Sequence, residues 1–474
     1  MEEEKKEKRR PGVLPAVLGV LLLAAASAWG GGRLYYENHF LPGTRVDGID
    51  VSGLTVEELE AKIRDYLLCI VERKSDGLTL EEDIQGKEIG LCYTSAEPLR
   101  EFLRDQKKWM WFLPQEEEYR TEGLISWDQK ELEAKVDGLT GFREDFAEMP
   151  ADAYISEYDP ETGFVIVPES QGNELDRQKT LEVIREAVAA LMDRVDLAAM
   201  GCYETPRVTS ENEELLQTLE KLRAYEELEI IYTFGENTET LDGETVSGWL
   251  HADGMEAVLD ESQVEAFVVM LRKRYDTIFR PRTFMTSYGK EITIEGGDYG
   301  WWMNYPQEIA ELTEMIRRCE SGERTPVYHQ TADRYGKPDY GDTYVEVNLT
   351  AQHLFLYRDG NLLLESDLVS GSSIRGDDTP PGVYSITYKQ RNATLTNEDY
   401  RTPVSYWMPF NRNIGLHDAG WRRSFGGDIY KTNGSHGCVN LPPSAAKEIY
   451  ENVRKGTPVI CYELPGTEQA VLTK

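Results

Sequence analysis

The apolar residues recur with different periods along the chain, and the periods predict its elements. From Val13 to Trp29 no charge interrupts the sequence, near the lower limit of the roughly 17 to 25 residues that span a bilayer as a helix. Five Lys/Arg residues precede it in "EEEKKEKRR", and basic flanks stay on the inner side. The expectation is a cytoplasmic tail at 1–12 and a transmembrane anchor at 13–32, with the rest outside. The small residues of "ASAW" leave a cleaved signal peptide, and hence secretion, as the alternative.

Beyond the anchor, Val46, Ile49 and Val51 suggest a short strand. Thr55 is placed to cap a helix whose apolar face holds Leu59 and Ile63. Two later stretches, from Gly163 and from Lys290, resemble one another. Aligning Gly172 with Gly300 pairs Ile166 with Ile294, Asp176 with Asn304 and Ile184 with Leu312. Each reads as a strand, a glycine turn, an Asp/Asn cap and an amphipathic helix. A duplicated α+β module follows, spanning 45–205 and 206–328. A polar, turn-rich stretch at 329–341 reads as a linker.

From 342 to 465 apolar and polar residues alternate. Asp359-Gly360 sits between two alternating runs, the strongest short hairpin signal because a primed turn needs positive φ at both central residues. "GVYSITYK", "VSYWMPF" and "NIGLHDA" add strands, and "PVICYEL" closes the series. One helix intervenes, with Ser444 as its cap and Ala446, Ile449, Tyr450 and Val453 on its apolar face. The predicted fold is multidomain: a mainly β sandwich or barrel-like C-terminal domain, two α+β modules before it, and one N-terminal transmembrane helix.

Composition narrows the partners. A net charge of -34 excludes sequence-independent nucleic-acid binding, which needs a basic footprint. The six cysteines show no CxxC spacing, so neither a disulfide framework nor a structural zinc site is expected. They read as small buried apolar residues. "WMWF" at 109–112 reads as core and "PQEEEY" at 114–119 as a solvated face.

The candidate chemistry lies in "NGSHGCVNL", 433–441, and in His417. A cysteine acts as a nucleophile only as thiolate, so it needs a base nearby. In an extended chain His436 and Cys438 would face the same side, with Cβ atoms about 6 to 7 Å apart. His417, on another strand, can approach from across the sheet. The Gly437 and Cys438 N–H groups could hold an oxyanion. Residue types alone leave a buried structural cysteine and a His/His/Cys zinc site open.

"HDAGWRRSFGGDIYKTNGSHGCVNL", with "TPPGVY" upstream, resembles the signature of the L,D-transpeptidase (YkuD-type) catalytic domain. The two modules resemble the peptidoglycan-binding domain that precedes it in Gram-positive enzymes, although spacer modules would read the same way. The resemblance implies Cys438 as nucleophile and His417 as general base, oriented by the backbone carbonyl of Asp418. It implies a supporting role for His436, an oxyanion-hole amide at Gly437, and substrate contacts at Ser435, Asn440, Trp421 and Arg422. No metal or cofactor is implied. The implied reaction is 3→3 cross-linking of peptidoglycan stem peptides, both donor and acceptor, with loss of a terminal D-Ala. Carbapenems are implied to acylate the same cysteine. L,D-carboxypeptidase activity and non-catalytic wall binding are the alternatives.

Overall fold

The computed structural model describes residues 13–113, 118–121, 123–396 and 401–468. The expected tail at 1–12 and most of the "PQEEEY" run lie outside them. The chain forms two compact units, Met1–Tyr154 with Ile166–Asn212, and Ile155–Val165 with Glu213–Lys474.

In the first unit, helix α1 (Val13–Tyr35) covers the apolar N-terminal segment. Among the described residues, however, no helix is long and apolar enough to cross a membrane. The expectation of a membrane-spanning anchor at 13–32 gains no support from the described residues. The "WMWF" stretch is not core. Trp109 and Phe112 are 57% and 56% exposed, because a short 3₁₀ turn at Lys108–Met110 turns them outward.

The same arrangement of strands and helix occurs once in each unit. In the first, β1 (Leu67–Arg73) and β2 (Thr79–Gln85) form an antiparallel hairpin. Helix α2 (Arg177–Ala189) leads to β3 (Arg194–Asp196), which pairs parallel with β1. In the second, β4 (Glu229–Phe234) and β5 (Asn237–Asp242) form the hairpin. Helix α3 (Tyr305–Arg317) leads to β6 (Gly322–Arg324), parallel with β4. Both helices have 13 residues, and each starts five residues after its aligned glycine (172 to 177, 300 to 305). Their caps differ. Asp176 accepts from the Lys179 N–H, whereas Asn304 makes no such bond and Pro306 stands in the first turn of α3 instead. Thr55 caps the helix Val56–Arg64 through a reciprocal capping box with Glu58.

The C-terminal part of the second unit is a β sandwich. One sheet contains β7 (Tyr344–Asn348), β8 (His353–Arg358), β9 (Asn361–Asp367), β10 (Gly382–Ser385) and the closing β15 (Pro458–Tyr462), in the order β9-β8-β7-β15-β10. The other runs β11 (Gln390–Thr396), β12 (Arg401–Asn411), β13 (Ile414–Asp418) and β14 (Val439–Leu441). Val345, Leu354 and Val459 from the first meet Met408, Leu416, Val439 and Leu441 from the second in one buried core. The β8–β9 hairpin turns at Asp359 (φ 50°) and Gly360 (φ 76°), with Arg358 opposite Asn361. Helix α4 starts at Pro443 and ends at Asn452 rather than being capped by Ser444. Proline's fixed φ suits the first helical position better than a serine one residue inside.

The stretch at 329–341 is packed rather than free. Asp339, 4% exposed, receives Nε and Nη2 of Arg282, each at 2.8 Å. Phe284, Ile294 and Tyr299 of the second module share a buried cluster with Val383, Ile460 and Tyr462 of the sandwich. The "GGDYGW" segment joins the edge of β10: Val383 N–H donates to Gly296, and Tyr299 N–H to Val383. A Cβ on Gly297 would sit 2.0 Å from the Val383 carbonyl oxygen, so only glycine permits this approach.

Candidate active site

Strands β13 and β14 pair in parallel, with His417 opposite Asn440. A parallel pair requires a long crossover. Here it carries Trp421 and Arg422, the short helix Ile429–Asn433 and then the turn that bears Cys438. On the other side β12 sets Trp407 opposite His417. Trp407, His417 and Asn440 therefore lie in a row across three strands, and Cys438 packs with Trp407, Val404 and Ala393. A cleft of about 510 Å³ is lined by His417, Cys438, His436, Asn440, Trp421 and Arg422, among others.

His417 is 4% exposed. Its Nδ1 donates to the carbonyl oxygen of Asp418 at 2.9 Å. Because a carbonyl can only accept, Nδ1 carries the proton and Nε2 is left as the acceptor. With the Asn440 amide oriented so that donors face acceptors, its NH₂ donates to Nε2 at 3.0 Å and its oxygen accepts from Arg422 Nε at 2.8 Å. Burial holds the imidazole below its usual pKa, and the hydrogen bond to Asp418 opposes this only in part. The Asp418 carboxylate does not turn toward the imidazole. Its Oδ1 accepts from the Ser405 and Tyr406 N–H groups, both at 2.8 Å.

Cys438 is 7% exposed. Burial pushes its thiol up to about 11, against a smaller downward pull from the Gly415 N–H. Desolvation thus disfavours the charged form of each, thiolate and imidazolium alike. The Cys438 Sγ lies 3.5 Å from the Asn413 carbonyl oxygen.

The extended geometry expected for 436–438 is absent. Gly437 has φ +102°, which turns the chain so that Cys438 is buried while His436 is exposed at the cleft. Ser435 and Asn440 direct their polar groups inward, Ser435 Oγ donating to the Cys438 carbonyl and Asn440 bridging His417 and Arg422. Trp421, 53% exposed, is a wall of the cleft. Arg422 Nη1 donates to the Asn433 carbonyl at 2.8 Å.

Two residues of this neighbourhood were missed in the sequence. Arg375 Nη2 donates to the Gly434 and Ser435 carbonyls, both at 2.9 Å. Thr379 Oγ1 donates to the Gly437 carbonyl at 2.7 Å. Only the "TPPGVY" motif that contains Thr379 offered a signal. Among the described residues, no group of three or more His, Cys, Asp or Glu side chains could hold a metal ion. All six cysteines are unbridged, and three of them (Cys202, Cys438 and Cys461) are buried.

Residues 342–461 match the family model of the YkuD L,D-transpeptidase catalytic domain. A crystallised cysteine-to-serine mutant of Enterococcus faecium L,D-transpeptidase is 34% identical, over 52% of this chain and 100% of that one, with a TM-score of 0.44. The catalytic domain of the E. faecium enzyme, solved by NMR as its ertapenem acyl form, is 48% identical over 26% of this chain and 98% of its own, with a TM-score of 0.24. L,D-transpeptidase 2 of Mycobacterium tuberculosis (strain CDC 1551 / Oshkosh) is 34% identical over 73 residues, 15% of this chain. The chain spans 16% of the length of that relative and 64% of a second curated one. Residues 342–461 are thus a YkuD-type L,D-transpeptidase catalytic domain at the C-terminal end of the chain.

Proposed function

We propose that the protein is a cysteine acyltransferase that forms 3→3 cross-links between peptidoglycan stem peptides outside the cell. The observation that carries this reading is the parallel β13–β14 pairing, which brings His417 and Cys438 into one cleft with the imidazole oriented by the Asp418 carbonyl. The upstream modules are read as wall-binding elements.

Cys438 is the nucleophile and His417 the general base. With both neutral at rest, the thiol proton passes to His417 Nε2 as the sulfur attacks the carbonyl of the third stem residue. The Asn440 amide, which holds Nε2 in the resting site, gives way at that step. The tetrahedral oxyanion rests on the Gly437 and Cys438 N–H groups. Its collapse breaks the C–N bond to D-Ala, which leaves with the proton from His417, and a thioester remains. An amine from a second stem then forms the amide and restores the thiol. The apolar packing of Trp407, Val404 and Ala393 around Cys438 limits water near the thioester, which favours an amine acceptor over hydrolysis. His436 and Trp421 are placed to contact the stem.

Incubation with disaccharide-tetrapeptide, followed by mass spectrometry, tests the reading. The expected product is a dimer lacking one D-Ala, absent with Cys438→Ala. Tripeptide and free D-Ala alone would assign a carboxypeptidase, and binding without turnover a wall-binding protein. Dimer formation by Cys438→Ala would overturn the nucleophile assignment.

A further inference from the structure

We infer that Thr379 is a positioning residue that aims the oxyanion-binding amide of Cys438; this rests on the acyl-transfer reading above. Thr379 is 4% exposed and lies behind the catalytic turn, 59 residues before Cys438 (379 to 438). Its Oγ1 accepts from the Gly371 N–H at 3.0 Å and donates to the Gly437 carbonyl at 2.7 Å. The direction of the second bond is fixed by its partner, because a carbonyl can only accept and the hydroxyl proton must therefore point to Gly437.

The Gly437 carbonyl and the Cys438 N–H belong to one planar trans peptide, so they point in opposite directions. A carbonyl held toward Thr379 therefore turns the Cys438 N–H away from it; the inference puts that N–H on the side of the cleft, which Ser435, His436 and Cys438 line. This peptide needs such a hold. Gly437, at φ +102°, lacks the side chain that would restrict its rotation. The neighbouring carbonyls are tied back as well. Ser372 N–H donates to Ser435 O at 3.1 Å, Arg375 to Gly434 and Ser435, and Ser435 Oγ to Cys438. Thr379 holds the one peptide of the set whose N–H belongs to the nucleophile itself.

Two reactions at the same sulfur separate this role from a structural one. Acylation by ertapenem builds a tetrahedral oxyanion: the Sγ–C bond forms, the lactam C–N bond breaks, and the thiol proton ends on the lactam nitrogen. Alkylation by iodoacetamide forms an Sγ–CH₂ bond with loss of iodide and builds no oxyanion. Both rates are to be measured by intact-mass spectrometry on the full chain, for wild type, Thr379→Val and Thr379→Ser, with thermal unfolding as a check of folding. Removing an oxyanion donor outright typically costs about 10²- to 10³-fold, so misaiming one is expected to slow acylation by Thr379→Val about 10- to 100-fold. Alkylation should stay within about twofold of wild type, and Thr379→Ser, which keeps the hydroxyl, should restore acylation. Equal loss of both reactions in Thr379→Val, unchanged acylation, or failure of the serine variant to recover would each overturn the inference. If wild type is alkylated at Cys438 but never acylated, the acyl-transfer reading fails instead.

Discussion

Two of the polar clusters buried in the second unit are built on opposite plans. Around Arg282 the charges are matched. Two of its nitrogens meet the two oxygens of Asp339, and the Tyr299 carbonyl takes a further bond at 2.7 Å. Nearby, the buried Glu346 accepts from the Ser287 N–H at 2.9 Å, the Ser287 hydroxyl at 2.6 Å and the Tyr462 hydroxyl. Around Cys438 the groups nearest the thiol and the imidazole are not paired with opposite charges. His417 and Arg422 meet carbonyl and amide groups, and burial shifts the thiol and the imidazole toward their neutral forms. The first plan sets the register between module and sandwich, since a bidentate pair is strong only in one geometry. On the proposed reading, the second keeps the thiol and the imidazole uncharged until substrate arrives. Burial of polar groups therefore holds parts together in one place and stores reactivity in the other.

The largest effect should come from the base. His417→Ala is expected to slow ertapenem acylation by about 10²- to 10⁴-fold, measured as adduct formation by mass, with little change in the denaturation midpoint. Next comes the matched cluster. Arg282→Met strands the Asp339 carboxylate and should cost about 3–5 kcal/mol in chemical denaturation. Adding Asp339→Leu should recover most of that loss, and acylation by the folded fraction should be unaffected. Loss of acylation without loss of stability would dissolve the contrast between the two clusters.

A third expectation concerns pH. A thiol pushed up to about 11 should react with iodoacetamide about tenfold faster per pH unit from 7 to 10, since only thiolate attacks. A plateau near neutrality would reveal a preformed thiolate–imidazolium pair. The smallest effect belongs to Glu346, whose carboxyl burial raises, with hydrogen bonds from Ser287 and Tyr462 opposing. A raised carboxyl means that the folded state holds its proton more tightly than the unfolded state. Wild type should therefore lose stability relative to Glu346→Gln as pH rises above the usual carboxylate value, and the two should converge in acid. Thermal midpoints across pH 4 to 8 measure this.

Local chemistry was readable where a few adjacent residues decide a conformation. Thr55, Asp176 and the Asp359-Gly360 turn behave as their side chains and backbone freedom dictate. The His417 and Ser435-His436-Gly437-Cys438 motif was readable because its residue types are rare together. Other features were not. "WMWF" is hydrophobic enough for a core, but a short turn leaves Trp109 and Phe112 at the surface. The motif places Asn440 at the substrate, but it does not reveal that the amide bridges His417 and Arg422, a contact made because the crossover folds back beside β13. Arg375 and Thr379 act on residues about 60 positions away, and no local pattern records that meeting.

By itself, then, the order of residues determined which side chains are available for chemistry, where strands and turns fall, and that the C-terminal part is a β domain. Tertiary structure alone decided that the thiol and imidazole are buried, which disfavours their charged forms, that the 329–341 stretch is pinned through Asp339, and that a distant threonine holds the Gly437–Cys438 peptide. The reason is physical: propensity and pattern are properties of neighbours in sequence, whereas desolvation and hydrogen-bond direction depend on what the folded chain brings into contact.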